Sequence, residues 1–202
     1  MSAASISDIS IDQRASRATS SSVLGMILFV ASEAMFFAAF FGAYFTIYAA
    51  TPVWPPIQIP IPDVNVAGVA TGLLVLSSIT MQAALYAAKS GLRRYLNIWL
   101  GLTILLGIGF LALQAVDYSN MGFGIHDGIY ASLFYIMTTI HMAHVIGGVI
   151  FLMLVFVQSR SGQLSMQRHD SLTAGAIYWD FVDLVWIGLF LVFYILPQTA
   201  NS

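Results

Sequence analysis

Cysteine is absent from the 202 residues, which rules out a disulfide, a thiolate-bound metal, an iron–sulfur cluster and a cysteine nucleophile. Charge is almost as scarce, at 8% of residues against roughly 25% in an ordinary soluble domain. So few charges cannot clothe a water-soluble surface. The seven basic residues and net charge of -2 leave no basic face for phosphates, and nucleic acid is excluded as a partner. What the chain has instead is apolar sequence, 59% of residues with a mean hydropathy of +0.86.

Five apolar runs account for most of it, at about 23–48, 66–88, 95–115, 131–158 and 172–196. At 1.5 Å per residue each can cross a hydrocarbon core of about 30 Å as a helix. The expected fold class is therefore all-α: a polytopic bundle of five transmembrane helices forming a single domain over 22–202. Residues 1–21 are Ser-rich and polar and read as a disordered cytoplasmic tail, without the apolar core of a secretory signal. The connections are short, and the first carries Pro52, Pro55, Pro56, Pro60 and Pro62.

Charge placement gives an independent test of the count, because cytoplasmic loops collect Lys and Arg. With the N-terminus inside, Arg14, Arg17, Lys89, Arg93, Arg94, Arg160 and Arg168 all fall on the cytoplasmic side. The outer loops hold Asp63, Asp117 and Asp127 and no basic residue, which places the C-terminus outside. A GxxxG pattern, Gly68 to Gly72, and the glycines Gly107, Gly109, Gly147 and Gly148 predict close helix packing.

Ionisable groups at membrane depth are costly and mark either a function or a buried pair. There are five: Glu33, His141, His144, Asp180 and Asp183. Counted from the cytoplasmic ends at 1.5 Å per residue, Glu33 and Asp183 lie about 15 Å deep, His144 about 20 Å, His141 about 24 Å and Asp180 about 10 Å. No Lys or Arg lies within a span, so each carboxyl must be protonated, pair with a histidine, or be hydrated or hydrogen-bonded. Glu33 is expected to pair with His144 or Asp183. His141 and His144 are about 60° apart on their helix and could face one neighbour. They read either as hydrogen-bonded packing elements or head-group contacts, or as proton-transfer groups. A bis-histidine haem needs ligands from opposite sides of its ring, and His126 and His169 lie in loops, so no metal or haem is expected on this chain. Trp179, with Tyr178, suits an interfacial aromatic belt, and Asp180 beside it is either interfacial or functional.

The same polar residues carry a resemblance. Ser32-Glu33-Ala34-Met35-Phe36-Phe37 with Phe40-Phe41-Gly42-Ala43-Tyr44-Phe45, Phe134-Tyr135 with His141-Met142-Ala143-His144-Val145-Ile146-Gly147-Gly148, and Tyr178-Trp179-Asp180-Phe181-Val182-Asp183-Leu184-Val185-Trp186 resemble, in order, the motifs of cytochrome c oxidase subunit III. Gln114-Ala115-Val116-Asp117-Tyr118 is a further echo, expected after the third helix. The length resembles the short bacterial form of five helices rather than seven. Three positions depart from the family pattern: Thr139 and Met142 stand in place of glycines, and Asp180 in place of a histidine, which puts any role inherited from that histidine in question.

The resemblance implies a non-catalytic subunit in the bacterial cytoplasmic membrane, part of a haem-copper oxidase that reduces oxygen with electrons from cytochrome c and pumps protons. It implies haems and copper on partner subunits I and II, direct packing on subunit I, and bound phospholipid near Glu33, His141 and His144. Quinol oxidases and some nitric oxide reductases have a similar subunit. The reading from another class is a small proton channel or transporter using Glu33, His141, His144 and Asp183 as a relay.

Overall fold

The computed structural model describes residues 21–56, 62–161, 164 and 169–200. The tail expected at 1–21 lies outside them except for Ser21, and so do Arg14, Arg17, Pro60 and Arg168. The described residues contain five helices long and apolar enough to cross a membrane. These are α1 Ser21–Ala50, α2 Val64–Lys89, α3 Arg93–Asn120, α4 Ile129–Arg160 and α5 Asp170–Phe190. The last continues through a π-helical turn, Leu191–Ile195, into a short α6, Leu196–Ala200. Each crossing keeps its backbone hydrogen bonds within the helix, as a bilayer requires. The helices start within about two residues of the expected positions, but α3 runs on to Asn120.

α2 and α3 form an antiparallel hairpin whose shared face is the stripe Ala67, Ala70, Leu74, Ser77, Met81 and Ala84 on α2. Thr80 and Thr103 exchange a 2.8 Å hydrogen bond across it. α5 is the central helix and packs against α1, α2 and α4, while α4 also closes against α3. Side-chain contacts set the directions. Phe29 meets Tyr178, Phe37 meets Phe181 and Tyr44 meets Val192, so α1 and α5 run parallel. Tyr118 meets Thr138 and Asn97 meets Ser159, so α3 and α4 run antiparallel. One end of the bundle carries Lys89, Arg93, Arg94 and Arg160, and the other Asp63, Asp117 and Asp127.

Trp179 is fully buried. A Cβ added at Gly107 on α3 would lie 2.8 Å from Trp179 Cη2, and one at Gly148 on α4 would lie 2.9 Å from Cζ3. The indole thus fills a slot that only two glycines leave open. Its Nε1 donates 2.8 Å to Ser77 Oγ on α2, so one side chain of α5 joins three other helices. Two turns on, Trp186 Nε1 donates 2.9 Å to Thr71 Oγ1, again on α2. This corrects the aromatic-belt reading of Trp179: its helical register aims it at the glycine slot, not at the membrane interface. Tyr178 is buried as well and donates 3.0 Å to His144 O.

Gly68 and Gly72 are the second correction. Among the described residues no other part of the chain comes within 4 Å of a Cβ at either position, because Ala67, Ala70 and Leu74 take the packing face of α2 within this chain and the GxxxG stripe looks away from it. The π-helical turn has a specific support. A widened turn displaces the usual partners of its carbonyls, and here Val192 O accepts from Tyr44 at 3.1 Å and Phe193 O from Tyr130 at 3.0 Å.

Valine at Gly107 or Gly148 must therefore push Trp179 out of its slot. Overpacking of this kind costs about 1–3 kcal/mol, and thermal unfolding in mild detergent should show G107V and G148V clearly destabilised while G68V and G72V leave the chain's stability unchanged. Equal midpoints for all four would mean the slot is not tight.

Candidate functional site

Glu33 and His144 meet between α1 and α4. Glu33 Oε2 lies 3.0 Å from His144 Nε2, with the side chains 21% and 19% exposed respectively. His144 Nδ1 lies 2.8 Å from Ile140 O. A carbonyl only accepts, so Nδ1 carries a proton. Nε2 then either accepts from a protonated Glu33 or, as imidazolium, donates to the carboxylate. In both forms one proton lies between the two groups and the pair is neutral as a whole, the condition under which ionisable side chains are tolerated in an apolar medium. Phe37 is edge-on to the His144 ring at 5.1 Å. Tyr178, which fixes the His144 backbone, stacks on Phe29 at 6.1 Å. A shell of aromatic rings from α1 and α5 therefore surrounds a histidine of α4.

Asp183 is not part of that pair. It faces α2, where Asp183 Oδ2 and Ser78 Oγ share a hydrogen bond. Asp180 shares the arrangement: Ser78 Oγ is 3.3 Å from its Oδ1, and Gln82 Nε2 donates 2.7 Å to its Oδ2. Asp183 is 5% exposed and its Oδ1 has no hydrogen-bond partner among the described residues, whereas Asp180 is exposed.

His141 points away from His144, which corrects the expectation that both could face one neighbour. It is fully buried, stacked on Trp186 at 5.2 Å and edge-on to Phe110 at 6.0 Å, with neither ring nitrogen hydrogen-bonded among the described residues. The helix is the cause: positions three apart diverge enough for His144 to reach α1 while His141 turns between α3 and α5. Thr138, one turn before it, donates to Phe134 O and pairs with Tyr118 OH at 2.5 Å. Among the described residues no three His, Asp or Glu side chains come together as metal ligands would.

Asp117 is a further correction. Expected in an outer loop, it lies in the last turn of α3 and is buried there. Tyr194 OH donates 2.7 Å to its Oδ2, and Gln114 Nε2 lies 3.4 Å from the same hydroxyl. The helix extends because this partner lets a carboxyl remain inside the bundle. Sequence reasoning missed Ser78, Gln82 and Tyr194 as partners. The available signal was Ser78 and Gln82 at i, i+4 spacing in an otherwise apolar helix, the spacing that puts two side chains on one face.

Comparison with known proteins shows the family. The profile of the family Cytochrome c oxidase subunit III matches residues 10–198. The cytochrome c oxidase subunit 3 of Pylaiella littoralis is 40% identical over 177 residues, covering 85% of this chain and 65% of that protein. That of Synechocystis is 34% identical over 175 residues, 86% of this chain and 75% of that protein. That of Loxodonta africana is 38% identical over 176 residues, 84% and 67% respectively. The chain thus spans between 65% and 75% of the length of these relatives. With five crossings in place, its polar residues in the order of the family motifs and a profile match over nearly its whole length, the chain belongs to the cytochrome c oxidase subunit III family.

Proposed function

We propose that this chain is the non-catalytic third subunit of a proton-pumping haem-copper oxidase in a bacterial cytoplasmic membrane, where it packs on subunit I. The haems and copper belong to subunits I and II, cytochrome c is the electron donor, and this chain stabilises the complex, binds phospholipid and supports proton uptake. The observation that carries the proposal is the Glu33–His144 pair, which joins two of the family motifs across a helix interface at 3.0 Å. The topology it implies is the one the basic residues suggest, with Lys89, Arg93, Arg94 and Arg160 at the cytoplasmic end. The bundle with its short connections forms one transmembrane domain.

The Glu33–His144 pair sits beside α1, whose only fully buried residues are Phe37 and Tyr44. Its aromatic shell and partial exposure suit contact with acyl chains, and the shared proton lets it stand in an apolar setting without a net charge. A proton relay made of Glu33, His141, His144 and Asp183 has little support in this arrangement. Glu33 and His144 bond each other, Asp183 faces Ser78 on α2, and His141 is enclosed by Phe110 and Trp186.

A reduced-minus-oxidised optical spectrum of the complex that co-purifies with this chain tests the assignment. Haem and copper signals carried by other subunits, retained when this chain is stripped away but with a shortened lifetime in turnover, are expected. A colourless chain that purifies alone would defeat it. The pair is tested by substitution. Glu33→Gln keeps the shape and one hydrogen bond, so assembly should survive while lipid content and turnover lifetime fall. His144→Leu leaves a carboxyl unpaired at a cost of about 1–3 kcal/mol and should lower the unfolding midpoint further than Glu33→Gln does. No change in turnover, lipid content or lifetime in Glu33→Gln would remove the pair from the functional account.

A further inference from the structure

We propose that Asp180 and Asp183, bridged by Ser78, form a proton-binding site that holds one proton between two carboxyls and is separate from the Glu33–His144 pair. The argument rests on hydrogen-bond capacity. Ionised carboxylates only accept, and a serine hydroxyl has one proton to give, yet Ser78 Oγ lies within hydrogen-bonding reach of both Asp180 Oδ1 and Asp183 Oδ2. With both carboxyls ionised, one of the two contacts would set oxygen lone pairs against each other. A proton on Asp183 resolves this: Asp183 donates to Ser78 Oγ, Ser78 donates to Asp180, and Gln82 Nε2 supplies a second donor to Asp180 at 2.7 Å.

Burial assigns the proton to Asp183 and not to its partner. Asp183 is 5% exposed, and its Oδ1 is buried with no partner among the described residues. As the carbonyl oxygen of an acid that atom is merely unsatisfied; as part of a carboxylate it would be an unsolvated charge, which is far costlier. Asp180 has two donors, Ser78 and Gln82, and is the better placed of the two carboxyls to act as acceptor. Among the described residues the surroundings offer no counter-charge. From α2 the facing groups are Ser78 and Gln82, neither of which titrates; Glu33 of α1 and His144 of α4 are engaged with each other, and His141 lies against Phe110 and Trp186. No ion pair to Asp180 or Asp183 forms among the described residues. The chain Asp183, Ser78, Asp180 leads from the buried interface between α2 and α5 to the side of α5 that this chain leaves uncovered.

Infrared spectroscopy of the complex purified with its native partners tests this through the carbonyl stretch of protonated carboxyl groups at neutral pH. One such band is expected to disappear in Asp183→Asn, which should still fold because an amide N–H can donate to Ser78 in place of the acid. The same band should persist in Asp180→Asn. In Ser78→Ala it should move to higher frequency as the acid O–H loses its acceptor. The proposal is overturned if Asp183→Asn removes no band, if Asp180→Asn removes it instead, or if Ser78→Ala leaves its frequency unchanged.

Discussion

Four of the five long helices converge on Trp179, and much of the bundle's geometry follows from how its indole is held. Helices in lipid gain nothing from burying one apolar surface against another, since acyl chains are as apolar as leucine; they associate through close packing and hydrogen bonds. Trp179 supplies both. Its ring is flanked by Gly107 and Gly148, where any side chain would collide with it, and its nitrogen reaches Ser77. The indole lies between α3 and α4 at this level, and the facing stripe of α2 is placed by a hydrogen bond. Ser77 in turn donates 2.6 Å to Leu74 O, so the polar groups at the junction are satisfied without water.

Around that junction the polar side chains separate into distinct groups. Glu33 and His144 join α1 to α4, Ser78 and Gln82 join α2 to the two aspartates of α5, and Asp117 with Gln114 and Tyr194 joins α3 to the π-helical turn. Each group bridges two elements that run through the membrane-spanning part of the chain, so each also fixes the rotation of one helix against another. His141 is the exception. It is enclosed by rings and has no hydrogen bond among the described residues, so its place is fixed by aromatic packing alone.

The number of long apolar helices and where each begins were legible in the sequence because they depend on apolar length, but the end of α3 was not. The pairing of Glu33 with His144 was among the alternatives that depth allowed. What the sequence did not disclose was direction around the helix axis. In water the apolar stripe of a helix marks its buried side, but in a bilayer the lipid-facing side is apolar too, so periodicity does not say which face meets a neighbour. This is why Gly68 and Gly72 read as a packing face although Ala67, Ala70 and Leu74 do that work. It is also why His141 and His144 could be imagined side by side, and why Trp179 looked interfacial. Asp117 went astray for a different reason: a carboxyl near a helix end looks solvated until a tyrosine from 77 residues further along the chain turns out to cover it.

α1 stands somewhat apart from the rest. It lies chiefly along α5, with Phe41 seated on Gly188, and Tyr44 fastens it near one end by donating to Val192 O while Glu33 fastens it farther back to α4 through His144. Two fixed points define a line, and a rod held along one seam by two points can lean within the plane of that seam without unpacking the other four helices. Bilayers differ in thickness by several ångströms, and helices meet such mismatch by tilting. α1 makes no part of the slot around Trp179, so a tilt of α1 against α5 would leave that slot as it is.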